Sequence, residues 1–137
     1  MSAQSQVSTE LELRLLVPGA SLPVRAGMRY DVSDPYAVNV EFKTGDEPVV
    51  WTFARQLLTD GVARMVGDGD VKVWPSRENG EHLVCIALSS PSGRALFEVP
   101  LNDVVGFLTR TYELVPTGLE GQHLDLDAEL ALLLWDN

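Results

Sequence analysis

The stretch Met28–Phe42, MRYDVSDPYAVNVEF, decides how the first half of this chain is read. Met28 and Tyr30, then Tyr36, Val38, Val40 and Phe42, put apolar side chains on one face of two extended runs. Between them DVSDP is turn chemistry. Asp31, Ser33 and Asp34 accept hydrogen bonds from neighbouring backbone N–H groups, Pro35 fixes its own φ, and Tyr36 opens the next apolar face. The competing reading makes Asp31, Asp34 and Tyr36 an acid–base cluster. Two acidic turn residues with no nearby partner of matched type favour the turn.

The same pattern extends in both directions. Turn signals recur at PGAS (18–21), TGDEP (44–48), GDGD (67–70), ENGE (78–81) and SPSG (90–93), a spacing that predicts antiparallel hairpins. Leu11, Leu13, Leu15 and Val17 share a face, as do Leu22, Val24 and Ala26 before Met28, and Val49, Trp51 and Phe53 after Phe42. Their opposite faces carry Glu10, Glu12, Arg14, Arg25, Arg29, Asn39, Glu41 and Lys43, a mixed-sign surface suited to water. HLVCIALS is apolar on both sides and predicts a strand covered on two faces, whereas DVKVWP and RALFEVP alternate only in part.

FARQLLTDG predicts a short helix stopped by Gly61 at its C-terminal cap. After Pro100, Asn102 or Asp103 can cap a helix with Leu101, Val105, Leu108 and Tyr112 on one face. LDLDAELALLLW predicts a last helix with carboxylates near its start and leucines on one side. The layout, strands then helix and again strands then helices, is loosely doubled. The expected class is α+β, a mostly antiparallel sheet of about seven strands with two to three helices. Residues 1–137 are expected to form a single domain, with 1–7 disordered.

Composition narrows the function. The chain has 137 residues, 45% apolar and 22% charged, an ordinary globular balance. Acidic residues outnumber basic ones 20 to 10, and the resulting charge of −10 opposes phosphate backbones and anionic membrane surfaces. Cys85 is the single cysteine and lies in an apolar run, which predicts a buried hydrophobe and excludes an intrachain disulfide. The N-terminus lacks a basic and apolar leader pattern, and no run has the length of a membrane span, so the expected compartment is the cytoplasm.

Catalytic motifs are missing their minimal parts. No G-x-S-x-G, H-E-x-x-H or C-x-x-C occurs, and GDGDV lacks both the glycine and glutamate of a calcium loop and the basic residue of a phosphate loop. His123 with Asp125 and Asp127 has the spacing of an extended metal cluster, but the two carboxylates equally suit a helix start, which is preferred. Most aromatic and basic residues fall on opposite strand faces, contrary to what base stacking with phosphate neutralisation requires. KVWPSR is the exception: Lys72, Trp74 and Arg77 form a small basic-aromatic patch, unless Trp74 is a partly buried strand-end aromatic. The expectation is no catalytic residue, no metal and no cofactor.

Several segments taken together, RYDVSDPYAV, WTFARQLLTDG, GDVKVWPSR, VCIALSSPSGRALFEVP, FLTRT and LDLDAEL, resemble the SsgA-like sporulation and cell-division proteins of actinomycetes, nearest the SsgB branch. The resemblance spans essentially the whole chain past its first few residues and is weakest around VARMVGDGD. It implies a non-enzymatic adaptor that marks septum sites in sporulation-linked division, recruits the tubulin-like protein FtsZ and meets membranes only through partners. It also implies a homo-oligomer, a trimer, with a fold similar to whirly-type single-strand-binding proteins. The alternative function is therefore single-stranded nucleic-acid binding, which the net charge opposes. For partner contacts the expected surface is an edge formed by Trp74, Arg77, Gly118 and Leu119, with Gly118 in a backbone conformation closed to other residues.

Overall fold

A computed structural model describes residues 4–123. Eight strands form one antiparallel sheet: β1 (Gln6–Val17), β2 (Ala20–Asp31), β3 (Ala37–Lys43), β4 (Val49–Ala54), β5 (Val66–Asp68), β6 (Val71–Glu78), β7 (Glu81–Ser90) and β8 (Gly93–Pro100). Their spatial order is β4-β3-β2-β1-β8-β7-β6-β5. Helix α1 (Arg55–Gly61) follows the first four strands and α2 (Leu101–Leu114) the second four, so each half is a meander ending in a helix. The halves join where β1 pairs with β8 through Arg14 opposite Glu98 and Leu15 opposite Phe97.

The class is α+β and mostly antiparallel, as expected, with eight strands in place of about seven. The added strand is β5, whose three residues are too short to show a period of two and are held by pairing Val66 with Val73 and Asp68 with Val71. Two α-helices lie within the described residues; the helix expected from LDLDAELALLLW lies outside them.

The sheet is strongly curled. α1 emerges from β4 at one edge yet touches β5 and β6 at the other, so it bridges both margins. The concave side collects Leu11, Leu13, Met28, Val40, Phe42, Phe53, Val73, Ile86 and Phe97 into one core, closed by Val104, Phe107 and Leu108 of α2. Each fully buried large apolar side chain contributes roughly 1.5–3 kcal/mol, and this core supplies the main driving force. On β7 both faces are buried: Val84, Ile86 and Leu88 join that core, while Leu83 and Cys85 are buried on the convex side. HLVCIALS is thus the two-sided strand its composition predicts.

Several local expectations are corrected. Tyr36 does not open an apolar face; it belongs to the turn and is 53% exposed, with its carbonyl accepting the Arg55 N–H at 2.7 Å. Gly61 is not a C-cap: Val62 caps α1, and Gly61 is needed because a Cβ there would overlap the Val73 side chain. Neither Asn102 nor Asp103 caps α2; Pro100 stands at that position and both polar residues lie within the first turn. Its buried residues are Val104, Phe107, Leu108 and Thr111, with Leu101 and Tyr112 packed partly buried against the core as expected; Val105, 39% exposed, is the one residue that leaves the expected face. At the N-terminus β1 begins at Gln6, and Val7 is buried opposite Tyr30, inside the segment expected to be disordered.

Candidate interaction surface

The Asp31 cluster turns the chain. Asp31 Oδ1 accepts both the Ser33 backbone N–H and the Ser33 hydroxyl at 2.8 Å, and Gln6 Nε2 donates to Oδ2 at 2.7 Å. The Ser33 backbone and hydroxyl, followed by Gln6, hold the Asp31 carboxyl below its ordinary value. The buried Tyr30 hydroxyl donates to Pro35 O at 2.9 Å, tying the turn to the core. Burial raises the Tyr30 pKa despite the nearby Arg55 cation. Every one of these contacts shapes the turn.

Arg55 is the most buried cation described, at 2% exposure. Its Nη1 donates to the carbonyl of Thr111 (3.1 Å), which also accepts the Val115 N–H, and to the carbonyl of Val115 (2.8 Å), just past the end of α2. Its guanidinium lies 3.9 Å from the Tyr112 ring centre and 4.9 Å from that of Tyr30. Nη2 faces Glu120 Oε2 at 3.6 Å. Glu120 Oε1 in turn accepts the Gly118 N–H at 2.5 Å, and its own backbone N–H, the Gly118 N–H and Arg55 together depress the Glu120 pKa. Arg55 therefore locks the β4–α1 junction, the end of α2 and the following loop into one unit.

Gly118 has φ +88°, the left-handed conformation expected of it, and a Cβ at this position would meet open space. Leu119 beside it is exposed. Trp74 lies on the convex side, where it shares a trough of about 410 Å³ with Lys72, Asp70, Arg94, Leu16, Ala87 and Leu96. Arg77 stands three residues further along β6, opposite His82, on the other face of the strand from Trp74. The structure thus brings Lys72 and Trp74 together, sets Arg77 apart from them, and holds Gly118 and Leu119 in the loop after α2. It adds Arg94, which the sequence reading did not single out although the hairpin at SPSG pairs it with Ser89.

Among the described residues no group of three His, Cys, Asp or Glu side chains converges as a metal site. Asp125 and Asp127 lie outside those residues. Burial raises the Cys85 pKa, the reverse of what an activated thiol requires. Glu98 is 7% exposed on the convex side; burial, then the neighbouring Glu78, raises its pKa, with Arg14 opposing. No helix among the described residues is long and apolar enough to cross a membrane.

The arrangement defines a class: an α+β protein with a curled antiparallel sheet, whose buried Arg55 fastens the β4–α1 junction to the end of α2 and the following loop. The family model described as the Streptomyces sporulation and cell division protein SsgA matches residues 24–120. The chain is 60% identical over 131 residues to the sporulation-specific cell division protein SsgB of Frankia casuarinae, covering 94% of this chain and 92% of that protein. It is 56% identical over 130 residues to SsgB of Streptomyces coelicolor, covering 93% and 95%. The crystal structure of the SsgA-like sporulation-specific cell division protein from Thermobifida fusca superposes with a TM-score of 0.85 at 48% identity, covering 96% of this chain and 98% of that one. The chain belongs to the SsgA family, and its relatives are named as sporulation-specific cell division proteins.

Proposed function

We propose that this protein is a non-enzymatic scaffold of sporulation-specific division that marks septum sites in the cytoplasm and recruits FtsZ. Its contacts with membranes run through partners. It works as a homo-oligomer, a trimer, whose repeated weak sites engage a polymer of many copies and so gain strength through effective concentration. The observation that carries this reading is the family membership joined to the Arg55 latch: the most deeply buried ionic group holds α2 and the Gly118 loop in place.

Trp74 and Arg77, on opposite faces of β6, and Gly118 and Leu119 in the loop are the proposed contact residues, as three separate positions on the surface. Gly118→Val places a β-branched residue at φ +88° with no steric neighbour, so it perturbs the loop and Glu120 more than the core. Co-sedimentation with polymerised FtsZ tests the reading: the native chain should pellet with the polymer, and a monomeric variant and Gly118→Val should pellet less. Failure of the native chain to pellet would remove FtsZ as the partner.

The second reading, single-strand binding on a whirly-like fold, draws support from Lys72 and Trp74 lining one trough. Against it stands the charge of −10. Titrating a labelled oligonucleotide at moderate salt separates the two.

A further inference from the structure

The convex face of β6, β7 and β8 is built as a trough running along β7. In the register Lys72 lies opposite Ala87 and Ala87 opposite Leu96, while Ser89 lies opposite Arg94. Small side chains on the middle strand thus form the floor, and longer ones on both neighbours form the walls: Lys72 and Trp74 on one side, Arg94 and Leu96 on the other. The space is about 410 Å³.

Its charge runs against that of the chain. Acidic residues exceed basic ones by ten (20 − 10), yet each wall presents a cation. Neither Lys72 nor Arg94 has a carboxylate partner within 4.0 Å among the described side chains, a state shared by Arg14, Arg25, Arg29, Arg77 and Arg110, so what sets the two apart is their placement on facing walls of one trough. Asp70, at one end of the trough, is the one carboxylate residue among its lining residues.

We propose that this trough docks an extended peptide segment of a partner protein in which acidic and large apolar residues alternate. The acidic side chains pair with Lys72 and Arg94, and an apolar side chain lies over Ala87 between Trp74 and Leu96. A half-buried tryptophan beside an apolar floor is the type of anchor that carries binding energy in such contacts. Two cations suit one or two carboxylates. They do not suit a run of phosphates, which would also face the repulsion of the whole chain. This inference rests on the docking reading above and names the surface and the chemistry it recognises.

Fluorescence anisotropy with a short labelled peptide alternating Asp and Leu tests it, with Lys–Leu and Asp–Ser peptides and a thymidine oligonucleotide as comparisons. The Asp–Leu peptide should bind saturably and more weakly as salt rises, and the other three should not. Lys72→Glu, Arg94→Glu and Ala87→Leu, the last filling the trough, should each weaken binding about tenfold or more. Urea midpoints check that the variants fold, and Lys72→Ala with Arg94→Ala provides a milder pair. Absence of saturable binding, or affinity unchanged in the charge variants, overturns the proposal. So does oligonucleotide binding abolished by those variants, or a change of association state in Ala87→Leu seen by sedimentation, which would make the face a contact between copies. Co-sedimentation of the native chain with FtsZ polymer but no peptide binding sinks the trough alone; failure of the native chain to co-sediment removes FtsZ as the partner.

Discussion

The rings of Phe42 and Phe97 stack with centroids 4.5 Å apart, although β3 and β8 are separated by two intervening strands. In a flat sheet three strand spacings would hold them roughly 14 Å apart. The contact is therefore a direct consequence of the curl and a sensitive probe of it. Phe97→Ala should cost about 3–5 kcal/mol in urea unfolding. A double-mutant cycle with Phe42→Ala should show coupling of about 0.5–1.5 kcal/mol. Strict additivity would mean that the two halves of the sheet fold without this closure.

Arg55 has no conservative substitute. Arg55→Lys leaves a single ammonium unable to serve two carbonyls while stacking over Tyr112 and Tyr30. Arg55→Ala and Arg55→Lys should each destabilise by on the order of 3 kcal/mol, because the Val115 carbonyl loses its Arg55 donor and the Thr111 carbonyl keeps only the Val115 N–H. Denaturant midpoints and hydrogen exchange at Thr111–Val115 provide the check; a near-neutral Arg55→Lys would disprove the latch.

Gly61 is a packing glycine. Gly61→Ala drives a methyl into Val73 and should cost about 1–3 kcal/mol. Val73→Ala in the same chain should recover part of that loss. If both changes simply add, the β6 contact is not the reason for glycine.

Glu98 makes stability depend on pH. Its pKa is raised by burial and then by Glu78, with Glu81 adding and Arg14 opposing. The unfolded chain therefore releases this proton first, and the folded state loses stability as pH rises from about 4.5 through the folded-state value. Glu98→Gln should be more stable than the native chain at neutral pH, and the difference should shrink below that window. Equal pH profiles would contradict the account.

Turn chemistry and strand alternation were legible because both are local. Asp31 with Ser33, and Asn79 with Gly80 at positive φ, act within a few residues, and periodicity records which strand face meets the core. The two-sided burial of HLVCIALS was legible for the same reason. On α2 the spacing places Leu101, Leu108 and Tyr112 against the core but Val105 wrongly, because the centre of the face, Val104, Phe107 and Thr111, is chosen by where β1, β7 and β8 lie beneath it. Gly61 reads as a helix stop until Val73, twelve residues away, is seen against it.

At the candidate surface, KVWPSR revealed that Lys72 and Trp74 lie close together. It did not reveal that strand alternation turns Arg77 away, or that Arg94 replaces it from β8. Sequence alone determined the α+β character, the hairpins, the family and the absence of familiar catalytic motifs. Tertiary structure decided the curl, the burial of Arg55 and the composition of the convex trough. Hydrogen bonding within a turn depends on neighbours in the chain, whereas closure of a sheet depends on atoms that meet only after distant strands have paired.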